Sequence, residues 1–168
     1  VQLCRQYVRR VPVLVITSSP DELAKVFDAA RHCDGIVADE VQRFSLFDER
    51  GASLKGQWET LIADATKRLG GTDSNRCRVT VTDRFGGRGH DYQVMDKDAV
   101  RNGGMLVIAT SVPDEREWIQ WRGRTARQDR PGQFHVVLDR LAEPFRSHAG
   151  LAAQLEGVRR REKAWEGV

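Results

Sequence analysis

The sequence predicts an α/β domain in three layers, a mostly parallel β-sheet with helices on both faces. Three observations carry that prediction. Strand-like and helix-like segments alternate along the chain. The strand-like segments are continuous apolar runs rather than alternating ones, the pattern of strands buried on both faces. The chain has 168 residues, 40% of them hydrophobic, enough to bury a core without disulfide or metal staples.

Each element can be justified in turn. "VQLCRQYVRR" (1–10) reads as the end of a helix, and with Val1 in first place the chain is expected to be a piece of a longer protein. "VPVLVIT" (11–17) is a valine-rich buried strand. "SSPDELAKVFDAARHC" follows as a helix: Ser19 caps it, Pro20 suits the first turn, and Asp21 and Glu22 suit its positive end. Its apolar stripe is Leu23, Val26, Phe27 and Ala30. "GIVADEV" (35–41) is a short second strand, and 44–56 a long connection. "LKGQWETLIADATKRLGG" (54–71) is a helix with Trp58, Leu61, Ile62, Ala65 and Leu69 on one face and a glycine stop. "RVTVTD" (78–83), "GGMLVIATS" (103–111) and "GQFHVVLD" (132–139) contain the remaining strands. "DEREWIQWRGRTARQ" (114–128) is helical in pattern, weakened by Gly123. From Leu141 the tail is polar and mostly helical.

The totals exclude several classes. No stretch approaches the ~18 apolar residues of a membrane-spanning helix, and no signal peptide is visible. Cys4, Cys33 and Cys77 are scattered, with no C-x-x-C pair for zinc, which favours reduced thiols inside a cell. The formal charge of +3 is too small to prove a nucleic-acid partner. Arginine outnumbers lysine by 22 to 5, however, and arginine is the better bidentate ligand for phosphate.

In parallel sheets, ligands sit beyond the carboxyl ends of the strands, which directs attention to 17–20, 82–91 and 110–114. "TDRFGGRGHD" (82–91) joins three glycines to two arginines and two aspartates. It is either a close-approach loop for a ligand or a tight surface turn with a local Arg–Asp pair. The second stretch puts five arginines into the fifteen positions 116–130. On a helix, Gln120, Arg124 and Arg127 share a face and could present an amide and two guanidinium forks to a triphosphate. Alone, such a run reads equally as a solvated amphipathic helix.

Together the two stretches are more specific. "GGRGHD" resembles the fifth motif of superfamily-two helicases, and "QWRGRTARQ" resembles the sixth, Q-x-x-G-R-x-x-R. The pattern is most similar to SecA-type preprotein translocase ATPases. It comprises Gly87-Arg88-Gly89-His90-Asp91, Gly103-Gly104-Met105-Leu106-Val107-Ile108-Ala109-Thr110, Arg122-Gly123-Arg124-Thr125-Ala126-Arg127-Gln128 and Pro131-Gly132. "VPVLVITSSPDELAKVF" is similar to the fourth motif. The pattern departs at Asp83 and Arg84, where Thr or Asn is usual, and at His90, which replaces a smaller residue.

The resemblance, over roughly residues 5–140, implies the second, carboxy-terminal RecA-like motor domain, with 141–168 a helical tail or the start of a following segment. It implies an ATP, with Mg²⁺, held mainly by a missing amino-terminal RecA-like domain of the same longer protein. Arg127 would be the arginine finger and Arg124 its companion, with Gly87, Arg88, Gly89, Asp91, Gln120 and Gly123 lining the nucleotide cleft. The chain has no P-loop, since no lysine follows a glycine, so hydrolysis by this chain alone is not expected. "IVADEV" imitates a Walker B strand but falls where the second domain needs an ordinary one. The implied work is polypeptide translocation in the cytoplasm, with peripheral membrane association as a further setting. The alternatives are the carboxy-terminal domain of an RNA or DNA helicase, less favoured by the modest charge, and a non-catalytic structural or interaction module.

Overall fold

The computed structural model describes residues 1–48, 51–70, 75–125, 130–139, 141, 145–148, 150–151 and 153, with Arg124 and Thr125 described by their backbone alone. The predicted parallel α/β architecture is present. The elements run α1 (Gln2–Tyr7), β1 (Val13–Ile16), α2 (Pro20–Arg31), β2 (Val41–Phe44), α3 (Trp58–Ala65), β3 (Val79–Thr82), α4 (Lys97–Arg101), β4 (Met105–Ala109), α5 (Glu115–Thr125) and β5 (Gly132–Val136). The strands form one sheet in the order β2-β3-β1-β4-β5, and every pairing is parallel. Val13 at the start of β1 lies between Val79 of β3 and Leu106 of β4.

Every residue of β1, β3 and β4 is buried, so these strands are covered on both faces, as their unbroken apolar runs require. The edge strand β5 is half-buried to exposed. Each fully buried Leu, Ile or Val contributes roughly 1.5–3 kcal/mol of transfer free energy, and these central strands form the energetic core. Leu23 and Ala30 of α2 are fully buried in it, with Val26 and Phe27 packed alongside. The Ser19 hydroxyl accepts the Glu22 N–H at 3.2 Å, and Glu22 in return accepts the Ser18 N–H at 2.8 Å.

Two sequence expectations are corrected and one element is added. The second strand is not 35–41 but Val41–Phe44, and Ala38–Glu40 form a 3₁₀ turn before it. A side chain is the reason: Glu40 Oε2 accepts the Val37 N–H at 2.8 Å, closing the turn. The helix expected over 54–71 is a 3₁₀ turn at Lys55–Gln57 followed by α3, which ends at Ala65. Beyond it Arg68 is drawn into a two-pronged pair with Asp96 (3.2 and 2.8 Å), and Leu69 forms an antiparallel bridge with Arg76. The short helix α4 was not expected. It has five residues, too few for a periodic signal, and is capped by Asp96 accepting the Ala99 N–H at 2.7 Å.

The amino-terminal edge of the sheet carries an ion cluster around one buried carboxylate. Glu40, fully buried, accepts Arg76 Nε at 2.8 Å and a hydrogen bond from Arg9, while Arg76 also reaches Asp39 at 2.6 Å. Burial alone would raise the Glu40 pKa. The hydrogen bonds from Arg76, the Val37 N–H and Arg9 outweigh it and hold the carboxyl below its ordinary value. "DE" at 39–40 is therefore a structural device, consistent with its reading as an imitation of Walker B.

The chain divides into two compact units, Val1–Val136 and Val137–Val168. In the second, the Leu141 N–H donates to Asp139 and the Leu151 N–H to the His148 carbonyl.

Candidate functional site

The carboxyl edge of the sheet is tied together by threonines. Thr82 Oγ1 donates to the Phe44 carbonyl at 2.6 Å, Thr17 Oγ1 to the Thr82 carbonyl at 3.0 Å, and Thr110 Oγ1 to the Ile16 carbonyl at 3.4 Å. Each hydroxyl caps a neighbouring strand just where the ladder ends. From β1 the chain proceeds to β2 at one edge of the sheet, and from β4 to β5 at the other. The crevice between β1 and β4 is thus a topological switch point, the place where open α/β sheets bind ligands.

The loop 83–92 crosses this edge at close range. Asp83 Oδ1 accepts the Phe85 N–H at 2.8 Å and starts the turn. A Cβ on Gly86 would lie 1.9 Å from Thr82 Oγ1, and one on Gly87 2.7 Å from Trp121 Nε1 and 3.1 Å from Ile16 Cδ1. These two glycines let the loop backbone lie on β1, β3 and α5. Buried Tyr92 holds it in place, its hydroxyl donating to the Gly86 carbonyl at 2.9 Å. Phe44, Trp58, Phe85 and His90 stack about one another with centroids 4.8–6.1 Å apart, so His90 is a packed aromatic.

The centre of the site is a residue the motifs did not single out. Glu117, in the first turn of α5, is 1% exposed, yet its Oε1 lies 2.5 Å from Arg88 Nη2 and 3.4 Å from Arg84 Nε. Its Oε2 accepts the Asp114 N–H at 3.2 Å while Asp114 Oδ1 accepts the Glu117 N–H at 2.7 Å. This reciprocal pair is a capping box, which "DERE" at 114–117 spells in the sequence. One carboxylate therefore starts the helix and holds the loop.

Arg84, Phe85, Arg88, Gly89 and His90 line a cleft of about 460 Å³ beside this pair. Gly89 adopts φ +70°, where a side chain would be strained. Asp91 lies elsewhere: it accepts Gln93 Nε2 at 2.6 Å and lines a separate cleft of about 740 Å³ with Ile62, Thr66, Arg68, Met95 and Asp96. The Arg68 hydrogen bonds hold the Asp96 carboxyl below its ordinary pKa.

On α5, Trp121 is fully buried against Gly87. Its Nε1, Gln120 Oε1 and Ser111 Oγ are buried without a hydrogen-bond partner among the described residues. A Cβ on Gly123 would meet nothing within 4 Å. Arg122 stacks 5.4 Å over Trp118, which packs edge-on against Phe134, and Arg130 donates to the Val94 carbonyl at 2.7 Å. Two of the five clustered arginines thus have packing partners. Arg124 is in α5 with its side chain outside the description, and Arg127 lies outside the described residues.

Two of the three cysteines, Cys4 and Cys77, are buried. Burial pushes the Cys77 thiol up to about 11 and raises Cys4, so neither is a thiolate at neutral pH. Among the described residues no three His, Cys, Asp or Glu side chains gather to hold a metal, and no helix is long and apolar enough to cross a membrane.

Comparison with solved structures shows the class of fold. The Pyrococcus furiosus Hef helicase domain matches with a TM-score of 0.52 and 19% identity, over 90% of this chain and 26% of that one. T. fusca Cas3 matches with a TM-score of 0.56 and 18% identity, over 96% of this chain and 19% of that one. The fold is therefore the RecA-like fold of helicase domains, and the chain spans about a quarter of the one structure and about a fifth of the other. No protein-family profile matches the chain, and no curated protein sequence resembles it.

Proposed function

We propose that this chain is the second RecA-like half of a helicase-like ATPase and contributes arginines to an ATP held by a first RecA-like domain. One observation carries the reading. The glycine–arginine loop after β3 and the arginine-bearing helix after β4 meet at the switch point of the sheet, joined through Arg88 and Glu117. That edge is where a nucleotide held by another domain would be met. In this reading Arg127 is the finger that stabilises charge on the transferring phosphoryl group, and Arg124 accompanies it. Gln120 orients an arginine or touches phosphate, and Gly87 and Gly89 permit close approach, while Asp91, which lines a separate cleft, is left without a part in this site. Gly123, with open space where a side chain would be, leaves room for the partner domain. Mg²⁺ and the phosphate-binding loop belong to that partner.

The SecA-like spacing of the motifs supports a polypeptide as the translocated substrate. A second reading, a nucleic-acid motor, is supported by a cationic cleft lined by Arg84 and Arg88 next to the Trp58, Phe85 and His90 rings, a combination suited to single strands.

The test joins this chain to a domain carrying a Walker A lysine. Arg127→Ala should lower ATP turnover by about 10³-fold or more while nucleotide binding stays near the parent value. Unchanged turnover overturns the finger assignment. Stimulation by unfolded polypeptide selects the translocase, and stimulation by RNA or DNA the helicase.

A further inference from the structure

We propose that Glu117 is a positioning residue: its buried carboxylate sets Arg84 and Arg88 as a two-guanidinium clamp for a phosphate group at the carboxyl edge of the sheet. The inference rests on reading that edge as a phosphate-handling site and adds a clamp that the motif pattern does not contain, since Arg84 stands where the pattern departs.

The geometry separates anchor from working surface. Glu117 is 1% exposed, whereas the Arg84 and Arg88 side chains are 48% and 49% exposed. A guanidinium carries five N–H donors in a planar fork. Arg88 engages Glu117 through Nη2 and Arg84 approaches it through Nε, which leaves other N–H donors on both forks, and both side chains line the cleft with Phe85, Gly89 and His90. Two guanidinium groups on one carboxylate leave a net positive charge, and paired forks match the oxygens of a phosphate.

The arginines are fixed rather than parked. Moving both to a ligand would strand a buried carboxylate without a counter-charge, which is strongly unfavourable. A phosphate must therefore be met by the outer donors while the inner ones stay on Glu117. The cost of ordering two long side chains is then borne by the fold, before the ligand arrives.

The two oxygens of Glu117 make the idea separable by mutation. Oε2 serves the capping box and Oε1 serves the arginines. Glutamine is accepted in a capping box, so Glu117→Gln keeps the helix start and removes the charge that orders the clamp.

The experiment measures binding of inorganic tripolyphosphate by calorimetry, and of a single-stranded thymidine oligonucleotide by fluorescence anisotropy, to this chain and its variants. Arg84→Ala with Arg88→Ala should abolish binding, and Glu117→Gln should weaken it roughly tenfold, the scale expected when two ordered side chains are released. In an Arg88→Ala background, Glu117→Gln should add little, because the element it orders is already gone. Arg84→Lys with Arg88→Lys, which keeps both charges but loses the forks, should also weaken binding and serves if Glu117→Gln folds poorly. Melting temperature is read in parallel: a purely structural Glu117 would lower it and leave affinity unchanged. Binding of tripolyphosphate alone assigns the clamp to nucleotide phosphates, and binding of the oligonucleotide as well assigns it to phosphodiesters. Absence of binding to both probes, or equal or tighter binding by Glu117→Gln, overturns the proposal. Loss of phosphate binding in Glu117→Gln, with no ATP turnover when the chain is joined to the Walker A domain, would defeat the motor reading and leave the clamp standing.

Discussion

Glu40 and Glu117 are the same device at opposite ends of one sheet. Each is a carboxylate with 0–1% exposure, each closes a turn through one oxygen, and each holds two arginines through the other. Glu40 precedes β2 and takes arginines that precede β1 and β3, so it fastens the amino edge. Glu117 follows β4 and takes arginines that follow β3, so it fastens the carboxyl edge. A buried ion pair is thus no marker of function by itself. What separates the two is which end of a parallel sheet they occupy, because only the carboxyl end offers a crevice between diverging connections. The partners differ accordingly: Arg9 and Arg76 are 35% exposed, Arg84 and Arg88 nearly half.

The contrast can be broken by mutation, beginning with the largest effect. Arg9→Ala with Arg76→Ala leaves Glu40 buried without a cation and should cost about 3–5 kcal/mol by urea unfolding, with tripolyphosphate binding unchanged where the variant is folded. A loss below ~1 kcal/mol would remove Glu40 from the structural frame. Gly86→Ala is expected to cost about 1–3 kcal/mol, since its Cβ would be driven onto Thr82 Oγ1 in the buried floor of the loop. A neutral result there would mean that the loop does not rest on the strand end. Glu117→Gln should cost only about 1 kcal/mol, the scale of a weakened charged hydrogen bond with the cap retained, and its signature is lost phosphate affinity.

The smallest effect is the acid limb of stability. Glu40 and Asp96 both have folded-state pKa values below the ordinary carboxylate value. The unfolded chain therefore binds protons more readily than the folded one. The stability they contribute is complete above the ordinary carboxylate range and is lost as the pH falls through the lower folded-state values. The melting temperature should drop over that acidic window, and Arg9→Ala with Arg76→Ala should flatten the drop. An unchanged slope would show that Glu40 is not depressed by its arginines.

Much of this was legible in order. The unbroken valine and isoleucine runs gave the buried strands β1, β3 and β4, and Ser19-Pro20 gave the start of α2. Glycine and arginine spacing marked 82–91 as either a close-approach loop for a ligand or a tight surface turn, without deciding between them. Short elements were not legible: α4 has too few residues for a period, and β2 was read too early because "IVADEV" has the composition of a strand. Nor was Glu117. "DERE" predicts a cap, but nothing local predicts that the free oxygen of that cap meets Arg88, 29 residues earlier.

The sequence alone determined the class of fold, the sheet's buried strands and the residues that resemble motor motifs, because these follow from local composition and short spacing. The tertiary structure decided the rest. It set which glutamate stands at the carboxyl edge, that Arg84 joins Arg88 there, and that Asp91 turns to a different cleft. Those relations arise between residues far apart in the chain, where strand order and burial, and no periodicity, fix which charges meet.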